Sequence, residues 1–336
     1  MQYRSLGRTG IKVSELCLGC MMFGDKTTAE DSYEIIDRAI DAGINFLDTA
    51  NVYSRGRSEV VTGQALVRNG KRDKIVLATK VHGRMDDNDP NAFGNARRHI
   101  IEQCHASLRR LQTDYIDLYQ IHRPQSDIPI DETLRALDDL IQAGKVRYIG
   151  TSTFAAWQLV ESLWVAKELG LNRFVCEQPP YNLLDRRIER ELLPMAQSYG
   201  FGIIPWSPLA GGLLTGKYRR DKEAPENARY ADTQGRPWME RRLTEGVYDA
   251  VEMLEPMAQE KGCALSQLVL AWVNQRPGVT SPIIGPRTME QLEDNLGALE
   301  VSFSEEELQK IDDMIPQGST LAPFYEADFG PHKYHW

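Results

Sequence analysis

Apolar, β-branched runs alternate with segments of helical periodicity along most of this 336-residue chain. Such alternation is typical of repeated βα units around a parallel sheet. The pattern predicts eight strand and helix pairs, whereas an open doubly wound sheet usually has about five or six strands. Eight pairs favour closure, so the sequence predicts the α/β class and a (β/α)8 barrel of the TIM type.

The positions of the elements follow from the apolar runs, their periodicity and the glycines that end several helices. Strands are predicted at 15–20, 45–50, 75–81, 115–122, 146–151, 173–178, 201–206 and 280–285. The intervening helices are predicted near 29–43, 58–68, 95–111, 131–143, 155–169, 188–199, 264–275 and 288–297.

Two segments lie outside the repeated units. Residues 3–14 contain two short apolar runs around a glycine turn, which predicts an N-terminal β-hairpin that caps the floor of the barrel. The interval 210–262, after the seventh strand, is longer than ordinary βα loops and contains a further predicted helix near 245–262. We therefore expect this long loop to act as a lid.

The chain ends in a tail that follows a last predicted helix near 304–315. The tail is unusually aromatic for a solvated end, and it contains Phe324, Tyr325, Phe329, Tyr334 and Trp336. We expect it to form a wall of a substrate pocket. No linker-like stretch divides the sequence, so residues 1–336 are predicted to form a single barrel domain.

Composition restricts the partners. A formal net charge of −9 argues against a nucleic-acid partner. The apolar stretches stop short of the ~20 residues of a membrane helix, so no membrane partner is expected. The residues from Met1 to Ser5 do not resemble a secretory signal, and we expect a cytoplasmic protein. The sequence leaves open whether the chain forms a homo-oligomer.

The five cysteines are odd in number and irregularly spaced, which suits reduced thiols better than disulfides. Cys17 and Cys20 form a C-x-x-C pair that could be redox-active or bind zinc. If residues 15–20 form a strand, however, side chains three positions apart point to opposite faces. Buried structural cysteines are therefore the favoured interpretation.

Polar side chains end three successive predicted strands. Asp48 lies at the end of the second strand, and Tyr53 follows it. Lys80 ends the third strand, and His122 ends the fourth. Because the carboxyl ends of barrel strands share one rim, an acid, a phenol, an ammonium and an imidazole are expected to converge there.

Each of these residues also has a purely structural interpretation. Asp48 and Lys80 could form a buried ion pair, since buried charges are normally paired. His122 could be a satisfied core histidine, and Tyr53 could pack with its hydroxyl in water. The arrival of all four side chains at one rim favours a shared chemical role.

Reduction of a carbonyl group is a reaction in which all four of these side chains would have a role. The carbonyl oxygen needs a proton as hydride arrives, so a general acid must lie within hydrogen-bond reach. An ammonium beside a phenol stabilises the phenolate, which is the role expected of Lys80 toward Tyr53. Asp48 would keep Lys80 charged, and His122 would orient the substrate through a hydrogen bond.

These residues also carry a family resemblance that extends over essentially the whole chain. The run from Tyr3 to Gly10, with Val13-Ser14 and Leu18-Gly19, resembles the branch of the aldo-keto reductases that contains bacterial enzymes and potassium-channel β-subunits. The run from Gly43 to Ala50, with Tyr53 and Ser58-Glu59, is similar to a specific motif of that family.

The resemblance implies that Asp48, Tyr53, Lys80 and His122 are a catalytic tetrad. It implies direct hydride transfer from NADPH, without a metal, to a small-molecule aldehyde or ketone, which is reduced to an alcohol. It also implies the residues that bind NADP(H), namely Cys20, Met21, Asp48, Ser152, Gln178, Trp206, Ser207, Pro208, Leu209, Gly211, Lys217, Gly285, Arg287, Gln291 and Asn295.

Some of these assignments are specific. Ser152 and Gln178 are implied to bind the nicotinamide amide, and Trp206 is implied to stack on the nicotinamide ring, with core packing as the alternative. Arg287 precedes a predicted helix N-terminus, which suits an adenosine phosphate; a solvated surface charge is the alternative. Asp294 lies in the same segment.

Two other nucleotide motifs are disfavoured. No predicted strand leads into a G-x-G-x-x-G pattern, which argues against a Rossmann site. The run from Gly211 to Lys217 fits the first part of a P-loop, but Tyr218 stands where Ser or Thr would hold magnesium. The glycine-rich backbone could still approach a phosphate closely.

The chain departs from the family pattern in two places. Thr153 follows Ser152 where an asparagine is frequent, so only a hydroxyl is offered there. Cys20-Met21 replaces a frequent Thr-Trp, and flexible Met21 and Met22 are expected to widen the substrate pocket. The rival to an enzyme is a cofactor-sensing regulatory subunit that resembles the potassium-channel β-subunits.

Overall fold

The computed structural model describes residues 1–220, 222–226, 228–231, 233 and 236–325. Its central feature is a sheet of eight parallel strands that follow one another in chain order. The strands are β3 (Cys17–Gly19), β4 (Phe46–Asp48), β5 (Val76–Val81), β6 (Ile116–Ile121), β7 (Val146–Ser152), β8 (Cys176–Gln178), β9 (Gly202–Ile203) and β10 (Ile283–Ile284).

The sheet closes on itself. Strand β10 pairs in parallel with β3, and the segment before β10 pairs with β9 through the Ile203 to Val279 bridge. Thr280 N donates to Ile203 O at 2.7 Å, and Ile283 N donates to Pro205 O at 2.8 Å. The (β/α)8 barrel is therefore confirmed, and every predicted strand range overlaps an observed strand.

Helices alternate with the strands and cover the outside of the barrel. They are α1 (Ala29–Asp41), α2 (Arg57–Asn69), α3 (Arg97–Leu111), α4 (Ile130–Gln142), α5 (Ala156–Leu169), α6 (Leu192–Tyr199), α7 (Pro237–Glu240), α8 (Glu245–Glu260), α9 (Leu265–Gln275), α10 (Met289–Gly297) and α11 (Glu305–Met314). Helices α7 and α8 lie in the long loop after β9, and α11 follows the last barrel unit.

Local sequence explains where several helices begin and end. The hydroxyls of Thr28 and Ser304 cap α1 and α11 by accepting from amides in the first turn. Helices α2, α5 and α6 end at glycines in the left-handed backbone conformation, which residues other than glycine rarely adopt.

The predicted hairpin closes the floor of the barrel. Strands β1 (Tyr3–Ser5) and β2 (Lys12–Ser14) pair antiparallel, and Leu6 and Val13 pack in a buried cluster with side chains from the starts of barrel strands. Arg4 Nη1 donates to Asn274 O at 2.9 Å and to Thr280 O at 3.2 Å. The hairpin therefore contacts both the first and the last barrel units.

Candidate functional site

The acid, the ammonium and the phenol meet at the carboxyl end of the barrel. Lys80 Nζ lies 2.5 Å from Asp48 Oδ2 and donates to Tyr53 OH at 3.2 Å. It also donates to Thr49 O at 2.8 Å. Asp48 lies at the end of β4 and Lys80 lies near the end of β5, while Tyr53 begins a short 3-10 turn after β4. The predicted cluster therefore exists at hydrogen-bond distances.

The second oxygen of Asp48 receives two amides from across the barrel. Gln178 Nε2 donates to Asp48 Oδ1 at 2.9 Å, and Gln120 Nε2 donates to the same atom at 3.1 Å. Gln178 also donates to Gln120 Oε1 at 3.2 Å. Gln120 was not predicted as a site residue, although a glutamine inside the apolar strand β6 is a signal that could have identified it.

These bonds decide the charge of the buried lysine. Burial lowers the pKa of Lys80, but the charge of Asp48 and the bonds to Asp48 and Tyr53 outweigh this effect and raise it above its ordinary value. Lys80 is fully buried and stays an ammonium at neutral pH.

His122 completes the rim in a neutral state. Its ring meets the Tyr53 ring edge to face, with centroids 5.6 Å apart. Burial, with the positive charges of Arg123 and Lys80, holds the pKa of His122 well below its ordinary range. The imidazole is therefore uncharged at neutral pH, and it can donate only one ring N–H.

The turn after β7 lies next to this cluster. Ser152 Oγ donates to Gln178 O at 2.9 Å. Thr153 adopts φ +63° and accepts from Arg123 Nη1 at 3.0 Å. Arg123 Nη1 also donates to His122 O at 2.7 Å. Arg123 was not predicted, and its charge beside a site histidine could have been noticed.

Trp206 follows β9 at the same rim. Its indole is half-buried, and its Nε1 is buried without a hydrogen-bond partner among the described residues. The ring of Phe324 lies edge-on, with centroids 6.5 Å apart. Trp206 therefore forms part of the rim, next to the start of the C-terminal tail.

The tail as far as Tyr325 is held by the loop after β8. Asp185 Oδ2 accepts from the amides of Phe324 and Tyr325, both at 2.7 Å. Tyr325 OH donates to Phe154 O at 3.0 Å, in the turn after β7. The other predicted aromatic residues of the tail, Phe329, Tyr334 and Trp336, lie outside the described residues.

The glycine-rich segment after Trp206 lies beside Lys217. Ser207, Pro208 and Leu209 lead into left-handed glycines at Gly211 and Gly212. Gly212 has φ +100°, a conformation that favours glycine, and a Cβ built there would lie 2.8 Å from Lys217 Nζ. Lys217 therefore packs closely against the backbone of this segment.

Three positive charges act on one another beside this segment. Burial and the charges of Arg287 and Arg229 lower the pKa of Lys217. Arg229, in the long loop, was not predicted, and no periodicity marks its position. We call Lys217, Arg229 and Arg287 the cation cluster; such a cluster suits an anionic ligand.

The segment after β10 has the predicted helix start. Gly285 and Arg287 precede α10, whose N-cap Thr288 accepts from Gln291 N at 3.3 Å. Gln291 Oε1 accepts from Arg287 N at 2.8 Å. Buried Asn295 lies one turn later, and Asp294 accepts from Ser266 on α9 at 2.6 Å, so Asp294 is directed toward that helix.

The residues after β3 differ in accessibility. Cys20 is fully buried, its amide donates to Asp48 O at 2.8 Å, and its Sγ contacts Leu18 O. Met21 is half-buried and adjoins it. Burial raises the pKa of the Cys20 thiol to about 12, so it stays protonated. Both Cys17 and Cys20 are free thiols.

Among the described residues, no cluster of three or more His, Cys, Asp or Glu side chains could hold a metal ion. None of the helices in the described part of the chain has the length and apolar character that a transmembrane helix requires.

Comparison with known proteins identifies the family of this chain. The pattern of the Aldo/keto reductase family matches residues 15–316. An uncharacterized oxidoreductase of Bacillus subtilis, YrpG, is 41% identical over 94% of this chain and 96% of its own length. A probable voltage-gated potassium channel subunit beta of Oryza sativa is 39% identical, over 90% of this chain and 92% of its own.

A putative voltage-gated potassium channel subunit beta of Schizosaccharomyces pombe is 38% identical over 93% of both chains. The similarity thus extends over nearly the whole barrel in three distant organisms. By its family match, its relatives and its fold, this chain belongs to the aldo/keto reductase family.

Proposed function

We propose that the chain is an NADPH-dependent reductase that converts an aldehyde or ketone to an alcohol, with Tyr53 as the general acid. The observation that carries this proposal is the bonded series of Asp48, Lys80 and Tyr53, with distances of 2.5 Å and 3.2 Å between successive groups. A purely structural ion pair between Asp48 and Lys80 would not require a phenol at bonding distance.

Tyr53 OH supplies the proton to the carbonyl oxygen as that oxygen gains negative charge. The Lys80 ammonium then stabilises the phenolate that remains. Asp48 keeps Lys80 charged, and the amides of Gln120 and Gln178 hold the carboxylate in position. These residues therefore support proton transfer in either direction.

Neutral His122 is suited to hold the substrate. An uncharged imidazole can donate one N–H to the carbonyl oxygen while Tyr53 supplies the proton. The edge-to-face contact between the two rings keeps both groups on the same side of the site.

The described residues fit a phosphorylated dinucleotide. The cation cluster supplies positive charge for a phosphate, and the left-handed glycines allow a phosphate to approach the backbone closely. Trp206 Nε1 has no hydrogen-bond partner among the described residues and could donate to an acceptor on the ligand. Ser152, Gln178 and Trp206 would hold the nicotinamide end, and Lys217, Arg287, Gln291 and Asn295 the phosphate end. When bound, NADPH supplies the hydride.

The test is to mix the pure protein with NADPH and a panel of aldehydes and ketones while cofactor absorbance is followed. Carbonyl-dependent loss of NADPH absorbance is expected, with far less loss for Tyr53→Phe. Absence of turnover with every carbonyl compound would contradict the proposal. We expect this activity in the cytoplasm, with a small-molecule carbonyl compound as the substrate.

The relatives named as potassium channel subunits favour a second candidate, a regulatory subunit that senses cofactor. Such a subunit would bind NADPH tightly, and its binding to a channel protein would depend on the oxidation state of the cofactor. Binding of NADPH without turnover, together with redox-dependent capture of a channel cytoplasmic domain, would support this candidate over the enzyme.

A further inference from the structure

Glu177 is a fully buried carboxyl group that the proton transfer above does not use. It lies in β8, directly before Gln178. Its Oε1 accepts from Phe154 N at 3.1 Å, and its Oε2 lies 2.5 Å from Thr151 Oγ1. Both oxygens are therefore bonded to the segment that ends β7 and begins the following turn.

That turn contains an unfavourable backbone conformation. Thr153 has φ +63°, in the left-handed region, and a β-branched residue rarely adopts it. A conformation of this kind persists only where surrounding contacts impose it. The amide of the next residue, Phe154, is the group that Glu177 binds, so the carboxyl acts directly on the strained turn.

The turn presents two groups to the site. Ser152 Oγ is bonded to Gln178 O, beside the amide that holds Asp48. Thr153 Oγ1 accepts from Arg123 Nη1, which also donates to the carbonyl of His122. A change in φ at Thr153 would move both groups.

We infer that Glu177 is a positioning residue, whose carboxyl holds Thr153 in the left-handed conformation and thereby places Ser152 toward the cofactor and Arg123 behind His122. This inference rests on the proposed function for its kinetic readout. Its structural readout, the backbone angle at residue 153, does not depend on that function.

Two donors of the neighbouring segment face the Glu177 carboxyl. Thr151 Oγ1 donates to Oε2, and Phe154 N donates to Oε1. Burial raises the pKa of Glu177 to about 8, although bonds from Thr151, Phe154 and Thr153 and the charge of Arg123 oppose this rise. The other titratable groups that act on it are Tyr325 and the Cys176 thiol.

The first experiment compares Glu177→Leu, which removes both acceptors, with Glu177→Gln, which keeps one oxygen that can accept from Phe154 N. At pH 7 we expect Glu177→Gln to keep most of its turnover. Glu177→Leu should lose at least about tenfold in kcat or in NADPH affinity, because the Phe154 amide is left unpaired. Leu118→Ala, in the barrel floor, is the control for destabilisation alone.

Rescue separates positioning from a general loss of stability. Asparagine enters the left-handed region more readily than threonine, and its side-chain oxygen can accept from Arg123. Thr153→Asn should therefore restore much of the activity of Glu177→Leu. Equal losses in the single and double variants would overturn the inference.

The pH dependence provides a second, independent measurement. Above about pH 8 the wild-type carboxyl loses its proton, and the carboxylate accepts from Phe154 N and Thr151 Oγ1 more strongly than the neutral amide of glutamine does. The ratio of wild-type to Glu177→Gln turnover should therefore increase as pH rises through 8. A constant ratio would overturn the inference, and this measurement decides the matter if Glu177→Leu does not fold.

A crystal structure of Glu177→Leu completes the test. We expect residue 153 to leave the left-handed region, and an unchanged φ would overturn the inference even if the wild-type protein proves inactive on every carbonyl compound. Inactivity of the wild type would instead contradict the proposed function alone, so the two failures are distinguishable.

Discussion

The rim carries two clusters that are built in different ways: the tetrad cluster of Asp48, Tyr53, Lys80 and His122, and the cation cluster. Strand register places Asp48 and Lys80, and their charges neutralise each other at 2.5 Å. Lys217, Arg229 and Arg287 come from loops and act on one another as like charges. The opposite charges of the first cluster stabilise each other, whereas the like charges of the second repel each other, and this repulsion is why we propose that the second cluster binds the cofactor phosphates.

The largest expected effect tests the tetrad cluster. Tyr53→Phe should lower kcat by at least ~100-fold, within the usual range for loss of a general acid, and change NADPH affinity little. Steady-state kinetics and a cofactor titration measure the two quantities. The control is Tyr119→Phe, which removes a buried hydroxyl bonded to Ile100 O away from the rim. If Tyr53→Phe retains most of its turnover, Tyr53 is not the general acid.

The second prediction tests the cluster built from loops. Arg287→Ala should weaken NADPH by roughly 10- to 150-fold and leave NADH nearly unchanged, because a bond to a charged group is worth about 1.5–3 kcal/mol. Added salt should weaken NADPH binding more in the wild type than in the variant.

Arg147→Ala is the matched control, since Arg147 is an exposed arginine at the start of β7. Equal weakening of NADPH and NADH by Arg287→Ala would place the arginine against a group that both cofactors share. The search for the 2′-phosphate contact would then pass to Lys217 and Gln291.

A smaller effect is expected at the glycine beside Lys217. Gly212 has φ +100°, so Gly212→Ala should cost about 1–2 kcal/mol of unfolding free energy and also displace Lys217 from the cluster. NADPH affinity should fall. Gly70→Ala is the control, because Gly70 has φ +64° and an added Cβ meets no atom within 4 Å. If both variants bind NADPH equally well, Gly212 has no part in cofactor binding.

The last prediction concerns His122, for which we expect no change in protonation over the accessible pH range. Because burial and the charges of Arg123 and Lys80 keep the pKa of His122 well below its ordinary range, its ring should stay neutral as pH falls from 7.5 to about 6. Nuclear magnetic resonance of the imidazole measures this directly. A midpoint near the ordinary histidine value of about 6.5 would contradict the neutral-donor role.

The sequence predicted the barrel because periodicity and helix-ending glycines are local signals. It also brought Asp48, Lys80 and His122 together, because parallel strands place their carboxyl ends on one rim. Gln120 was missed because its bond to Asp48 crosses the barrel interior and exists only after closure. Arg229 was missed because its place depends on the path of a long loop, which no periodicity encodes.

The side-chain hydrogen bonds of the candidate site could likewise not be predicted from the sequence. Packing between β7 and β8, and not residue preference, makes Thr153 left-handed and brings Glu177 to the amide of the following residue. The tail was predicted to meet the substrate site, and the described part reaches Trp206 and Phe154 through Phe324 and Tyr325. Its role as a wall of the substrate pocket stays a prediction.

The contact between Arg4 and the last barrel unit has a consequence for synthesis on the ribosome. Arg4 joins residues about 270 positions away in the chain, at Asn274 and Thr280. Until those residues leave the exit tunnel, β3 and β9 present unpaired strand edges, which are templates for misassociation. We therefore expect nascent chains that have not yet exposed Thr280 and β10 to depend on chaperones, and closure of the barrel to be a late event in folding.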